Sequence, residues 1–199
     1  MAVEADQPDN RLNDAHVDYA GRLWFGSMDN LEVQPTGALY RFGQDGLTRC
    51  DAGYVITNGP VVSLDGRTLY HVDTLRRLIY AYDLHDGKPT NRRVFVRIER
   101  PGAHPDGATI DAEGCLWVGL WGGWAVQRFS PTGTLLHTLE LPVANCTKPA
   151  FGGPGLQTLY ITTAWKGLTQ AEREQQPLAG NLFAAPAPVA GVAAHEVDC

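Results

Sequence analysis

The sequence predicts an all-β protein of the β-propeller type, with about four blades in its 199 residues. Three observations carry that prediction. A motif recurs four times at nearly even spacing, each copy runs on into a second alternating strand, and helical periodicity is almost absent. The copies are "VDYAGRLWFGSM", "VSLDGRTLYHVD", "IDAEGCLWVGLW" and "GGPGLQTLYITT". Each has a small turn centred on glycine, then leucine, then Trp or Tyr, then alternating residues. The pairs Leu23-Trp24, Leu69-Tyr70, Leu116-Trp117 and Leu159-Tyr160 are offset by 46, 47 and 43 residues. Sheets of about 45 residues repeated radially are propeller blades, an architecture that leaves only short, protected edges.

Taken in order, the first copy continues into "GALYRF" at 37–42, the second into "RLIYAYDL" at 77–84, the third into "AVQRFS" at 125–130 and the fourth into "GNLFAA" at 180–185. Period-two patterning bounded by Gly, Pro and Asp is the signature of strands joined by hairpins. The blade-like repeats then cover approximately 13–50, 57–100, 106–141 and 148–190 of a single propeller domain, 1–199. One segment, "LTQAEREQQP" at 168–177, reads as a helical turn on a solvated loop. The first copy opens close to Met1, with no earlier strand to close a ring against "NLFAAPAPVAG", so the expected ring is incomplete at its N-terminal side.

Composition narrows the function classes. Sixteen basic residues against 22 acidic ones, a net charge of -6, leave no surplus of Lys and Arg for phosphates, so no nucleic-acid partner is expected. Arg92, Arg93, Arg97 and Arg100 form the one basic cluster and read as guards on an exposed strand edge. No run approaches 18 apolar residues and "MAVEADQPDN" is acidic and polar. Neither a membrane span nor a signal peptide is read, and the default compartment is the cytoplasm. Cys50, Cys115, Cys146 and Cys199 are widely spaced, with no C-x-x-C pair, and read as reduced thiols. Three serines without G-x-S-x-G, and six histidines without H-E-x-x-H, argue against serine hydrolases and zinc proteases. Trp121 and Trp124 are candidates either for blade packing or for a pocket wall, and His104 is kept because it lies two positions from Asp106.

Polar clusters recur at equivalent places: "RLND" at 11–14, "TNG" at 57–59 and "PDG" at 105–107. Asn13 lies 10 residues before Leu23, Asn58 lies 11 before Leu69, and Asp106 lies 10 before Leu116. Matched offsets in a propeller put such side chains at one end of the central channel. Amide and carboxylate oxygens suit a hard divalent cation, and a carboxylate beside it can act as a base. The competing reading is that Asn-Gly and Asp-Gly simply form turns, with Gly107 letting the chain turn.

Together, "RLNDAHVDYAGRLWFGSM", "TNGPVVSLDGRTLYHVDT", "HPDGATIDAEGCLWVGLWGG", "LPVANCTKPAFGG" and "QPLAGNLF" resemble the regucalcin, gluconolactonase and senescence-marker-protein family of six-bladed propellers, in the same order over nearly all of the chain. The resemblance implies divalent-metal-dependent hydrolysis of sugar lactones to aldonic acids, with a small sugar lactone as the partner molecule. It implies Asn58 and Asp106 as metal ligands, Asp106 also as acid/base, and Arg11 and Asn13 as holders of substrate hydroxyls. Glu32, in "GSMDNLE", is the counterpart of an acidic substrate contact. One divalent ion is implied, Ca²⁺ or Zn²⁺ first, with Mn²⁺, Mg²⁺ and Fe²⁺ open. The family's glutamate ligand belongs to a first blade lacking here, and Glu4 stands too near R-x-N-D to replace it. The alternatives are a non-enzymatic calcium-binding or protein-binding propeller with a degenerate site, or another propeller chemistry such as a strictosidine-synthase-like condensation or phosphotriester hydrolysis.

Overall fold

The computed structural model describes residues 3–198, and within them the chain is nearly all β. It divides into two compact units, one running to Val94 with the segment from Ala194 onward, the other Phe95–Ala193.

The first unit holds two four-stranded antiparallel meanders. One is β1 (Asn10–Val17), β2 (Leu23–Asp29), β3 (Gly37–Gly43) and β4 (Gly46–Tyr54), paired in that order. The other is β5 (Thr57–Val62), β6 (Thr68–Asp73), β7 (Leu78–His85) and β8 (Lys88–Arg97), whose last residues lie in the second unit. The second unit carries β9 (His104–Ile110), β10 (Leu116–Trp121), β11 (Ala125–Phe129) and β12 (Leu135–Glu140), then a three-stranded sheet of β13 (Asn145–Gly152), β14 (Thr158–Ala164) and β15 (Phe183–Pro186). In the second sheet burial falls from β5, every residue of which is buried, to the mostly exposed β8, whereas β1 of the first sheet is itself largely open. The first strand of each sheet is read as the innermost from the packing of β1 on β5 and of β9 on β13. The outer strands β4, β8 and β12 lie beyond the two strands per repeat that the sequence pattern marks.

The repeated motif has a physical cause. Asp18 is buried in the β1–β2 turn, where Oδ1 accepts from the backbone N–H of Ala20 (2.9 Å) and Arg22 (3.1 Å). Its Oδ2 accepts from Trp24 Nε1 and Arg22 Nε, both at 2.8 Å. Asp111 repeats this with the N–H of Glu113 and Cys115 on Oδ1, and Trp117 Nε1 and Arg128 Nε on Oδ2. A buried carboxylate is tolerated only when paired and fully hydrogen-bonded, which explains why Asp, Gly and Trp travel together. Where the aromatic residue is Tyr70, which has no ring N–H, Ser63 replaces the aspartate and its Oγ accepts from Thr68 N at 2.9 Å.

Around these turns the cores form, from Trp24, Leu39, Tyr54 and Leu69 in the first unit and Trp117, Val126, Leu159 and Ile161 in the second. The fourth turn departs from the expected tight form. Gly153 (φ 72°) and Gly155 (φ 64°) flank and enter a 3₁₀ turn at Pro154–Leu156. The strand expected at 180–185 begins only at Phe183. The expected helical turn is α1 (Gln170–Gln175), started by a capping box in which Thr169 Oγ1 accepts from Glu172 N and Thr169 N donates to Glu172 Oε2. Its flank is not only a solvated loop, because Gln176 is buried and accepts the Ala144 N–H at 2.7 Å.

The basic cluster lies on and just after the exposed β8, with three of its four arginines paired: Arg92 to Asp51, Arg93 to Asp83 and Arg100 to Glu140. Cys50, Cys115 and Cys146 are free thiols, and Cys199 lies outside the described residues.

Candidate functional site

The polar clusters sit where the innermost strands lose register with their neighbours. Pairing of β1 with β2 is broken between Leu12 and Ala15, which frames Asn13 and Asp14. Pairing of β5 with β6 is broken between Asn58 and Val61, and β9 skips Asp106 and Gly107 in its ladder with β10. Bulges of this kind re-aim a side chain out of the strand's alternation and are frequent at active sites. The turn reading is thereby corrected: Asn13, Asn58 and Asp106 are strand residues.

Gly107 does not turn the chain either. It lies within β9, and a Cβ there would stand 2.7 Å from both Cβ and Cγ of Lys148 on β13. Close packing by the neighbouring strand is what calls for glycine.

In the first unit β1 packs against β5, and a directional chain of hydrogen bonds crosses between them. Arg11 Nη1 donates to Asn13 Oδ1 at 2.7 Å. Asn13 Nδ2 donates to Thr57 O at 2.7 Å and to Asn58 Oδ1 at 2.8 Å, and Asn58 Nδ2 donates to Thr74 Oγ1 at 2.9 Å. Asp14 Oδ2 accepts from Gly59 N at 3.0 Å. R-x-N-D and T-N-G are thus one assembly. Both amide protons of Asn13 are consumed by the protein, which leaves the second lone pair of its Oδ1 to offer a ligand.

Behind this assembly, Thr57 Oγ1 donates to Ser27 O at 2.8 Å, and Ser27 Oγ donates to Glu4 Oε1 at 2.7 Å. Tyr40 OH and Asn10 Nδ2 also donate to the Glu4 carboxylate. Burial, followed by this contact with Glu4, pushes the Tyr40 phenol well above its usual range. Glu4 is in this way an anchor for the chain that enters β1.

Glu32 lies in the β2–β3 turn at φ 61°, its N–H bonded to Asp29 O. Backbone N–H groups of Gln34, Val33 and Leu31 hold the Asp29 carboxyl below the usual carboxylate range and fix this turn. Trp121 is half-buried opposite His104 in the β9–β10 ladder, while Trp124 is at φ 57° in the next turn and 40% exposed. A cavity of about 390 Å³ in the first unit is lined by Tyr19, Arg22, Arg67 and His85, and by none of Asn13, Asn58 or Glu32.

The donor chemistry fits an oxygen-seeking cation. Among the described residues no group of three or more His, Cys, Asp and Glu comes together, so a soft-metal cage is not formed there. Asn58 has its amide N–H₂ tied to Thr74, which aims its carbonyl oxygen away from that partner, and Asp106 supplies a carboxylate at the equivalent place of the third sheet. Amide and carboxylate oxygens are donors suited to Ca²⁺ and similar ions.

Antiparallel four-stranded meanders with polar residues gathered at the pairing breaks of their first strands define a set of β-propeller blades. Residues 1–165 match the SMP-30/Gluconolactonase/LRE-like region, and the chain belongs to that family. Regucalcin of Xenopus laevis is 37% identical over 191 residues, covering 91% of this chain and 64% of its own. The chain therefore spans less than two thirds of the length of that relative. The structure of a calcium-binding protein, regucalcin, from Agrobacterium tumefaciens superposes with a TM-score of 0.94 at 31% identity, over 99% of this chain and 68% of that one. A gluconolactonase from Xanthomonas campestris gives 0.70 at 27% identity, over 89% and 57%. The fold is that of a β-propeller.

Sequence reasoning missed Thr57, Thr74 and Ser27, which act through backbone carbonyls and hydroxyls that no motif reports. It also missed Lys148, whose stem lies against Gly107 and which no motif marks.

Proposed function

We propose that the protein is a divalent-metal-dependent sugar lactonase, opening an aldonolactone to its aldonic acid. The observation that carries the reading is the Asn13 to Asn58 hydrogen bond at 2.8 Å, which joins the R-x-N-D and T-N-G elements into one polar assembly. Asn58 and Asp106 are the proposed ligands, on the strength of the equivalent places they hold at the pairing breaks of their sheets, Asn58 just before the break and Asp106 within it. The ion supplies Lewis acidity toward the lactone carbonyl when bound.

The chain's own residues do the rest. Asp106 takes a proton from the attacking water and returns it to the ring oxygen as the C–O bond breaks. Arg11, partly engaged with Asn13, offers its remaining N–H donors to substrate hydroxyls, and Asn13 offers its remaining lone pair. Glu32 is the proposed acidic contact from the β2–β3 turn.

The test is hydrolysis of a panel of aldonolactones across Ca²⁺, Zn²⁺, Mn²⁺ and Mg²⁺, with wild type and Asp106→Ala. Metal-dependent turnover that Asp106→Ala reduces at least 100-fold is expected. Turnover at the buffer rate with every metal would overturn the enzyme reading. It would leave a second one, a calcium-binding propeller without turnover, favoured by the likeness to the Agrobacterium tumefaciens calcium-binding protein.

A further inference from the structure

We propose that Lys148 is an anion-recognising residue of this site, its ammonium receiving the negative charge that appears when a lactone is opened; the inference rests on the lactonase reading and deepens it. The first support is register. Each innermost strand breaks its pairing near this level, and on β13 the break falls at Thr147, between Cys146 and Lys148. Counted back from Val17, Val62, Ile110 and Phe151, the strand partners of the four leucines, Asn13, Asn58 and Asp106 lie four residues away and Lys148 three, level with Asp14, Gly59 and Gly107. The fourth sheet thus contributes a cation one residue along from the amides and carboxylate of the others.

The second support is packing within the second unit. A Cβ at Gly107 would lie 2.7, 2.7 and 3.1 Å from Cβ, Cγ and Cδ of Lys148. The lysine stem is therefore laid across the glycine that follows Asp106. Asp14 and Gly59 stand in the same relation on the adjacent innermost strands β1 and β5, where they are hydrogen-bonded. The backbone of Lys148 is fixed on both sides, its N–H donating to Thr162 Oγ1 at 3.1 Å and its carbonyl accepting from that hydroxyl at 3.2 Å. Pro149 restricts the conformation of the residue before it and so stiffens the mount further. Lys148 itself is only partly buried, so water and small solutes reach it.

Chemistry then selects the ligand. A sugar lactone is neutral; its opening passes through an oxyanion and ends in a carboxylate. A lysine ammonium carries three donors and a full charge, so it distinguishes the charged species from the neutral one far more than it distinguishes one hydroxyl from another. The residue would bind aldonate and the transition state in preference to lactone, which is the differential binding that accelerates a reaction.

The experiment compares wild type, Lys148→Met and Lys148→Arg, the full 199-residue chain in each case, with Ca²⁺ present. Methionine keeps the stem against Gly107 and removes only the charge. Binding of gluconate and of glucitol, a neutral polyol of the same length, is measured by titration calorimetry, and hydrolysis of gluconolactone in parallel. Gluconate affinity is expected to fall at least tenfold in Lys148→Met, with glucitol affinity unchanged within twofold, kcat lowered more than KM is raised, and partial recovery in Lys148→Arg. If wild type hydrolyses the lactone while Lys148→Met binds gluconate as wild type does, the inference is overturned and the lactonase reading stands. If wild type neither hydrolyses the lactone nor binds gluconate, both fall. A Lys148→Met protein that does not fold leaves Lys148→Arg and Lys148→Gln to decide by the same gluconate-to-glucitol ratio, with a ratio unchanged in Gln overturning the inference.

Discussion

Asn13 donates to Asn58 Oδ1 at 2.8 Å, although 45 residues separate them in the chain. Neither side chain could hold this geometry alone. Asn13 is oriented by Arg11 on one side and Thr57 O on the other, and Asn58 by Thr74, so each amide has its oxygen and nitrogen assigned by its partners. The pair is a built feature of the β1–β5 junction, and the first prediction tests what it is built for.

Asn58→Ala removes the proposed amide ligand. An ion bound at 100 times its Kd stabilises the folded state by about 2.7 kcal/mol, which in a domain of this size raises Tm by about 5–10 °C. Wild type heated with saturating Ca²⁺ should show such a shift and Asn58→Ala less than about 1 °C. Thr74→Val, which frees the amide to rotate, should fall between. An equal calcium shift in wild type and Asn58→Ala would remove Asn58 from the ligand set.

Gly26 faces Thr57 so closely that a Cβ would run into the Thr57 hydroxyl, the one that donates to Ser27 O. Overpacking of this kind costs about 1–3 kcal/mol. Gly26→Ala should lose that much stability by urea melt, and adding Thr57→Ala should restore part of it. The coupling read from the double-mutant cycle should be about 0.5–3 kcal/mol. Additive losses would mean the strand β5 shifts instead, and the Asn58 position with it.

The fold was legible because its repeat is forced by burial. The Asp18 and Asp111 turns each need the same carboxylate, glycine and tryptophan, so the chain spells the motif out. The site was legible in part for the same reason, since Asn13, Asn58 and Asp106 sit at one register place. What the sequence did not show is how those residues are held. Thr57 works through its carbonyl and Thr74 through a hydroxyl, roles any β-branched polar residue can take without leaving a pattern. Gly107 was misread as a turn former, because a glycine that admits a neighbour's side chain looks the same in sequence as one that bends. Lys148 was hidden by its place, one residue along from the series of Asn13, Asn58 and Asp106.

The two buried aspartates give a third prediction. Asp111→Ala strands the Trp117 N–H and one edge of the Arg128 guanidinium in a buried place, leaving Glu113 on the other edge. Removing one partner of a buried ion pair costs about 3–5 kcal/mol. Ser63→Ala, at the matching turn of the second sheet, breaks the bond from Thr68 N and an exposed bond to the Asp65 carboxylate, strands no buried charge, and should cost about 1–2 kcal/mol. Urea melts of the two variants should differ accordingly. Similar losses would show that the carboxylate turn is no stronger than its serine substitute.

His71 supplies the last prediction. It is fully buried on β6, edge-on to Tyr54 with ring centroids 4.8 Å apart, and neither ring nitrogen has a hydrogen-bond partner. Burial depresses its pKa from the ordinary 6.5 to about 3, with Asp51 opposing and Arg92 adding to the effect. Those two groups are themselves joined, since Arg92 donates to Asp51 and the Tyr54 and Tyr82 hydroxyls bond the same carboxylate oxygen. The folded state therefore holds His71 neutral, while the unfolded chain binds a proton there below pH 6.5. Stability from this residue is complete above that value and is lost progressively as pH falls from 6.5 toward 3. The slope approaches about 1.4 kcal/mol per pH unit, so between pH 6.5 and 4.5 the loss is at most about 2.7 kcal/mol. His71→Phe, which keeps the ring against Tyr54, should remove this component, so that the wild-type urea stability falls relative to the variant's as pH falls through the window. Parallel curves across pH 4.5–6.5 would mean that the imidazole reaches solvent or a proton acceptor before the protein unfolds.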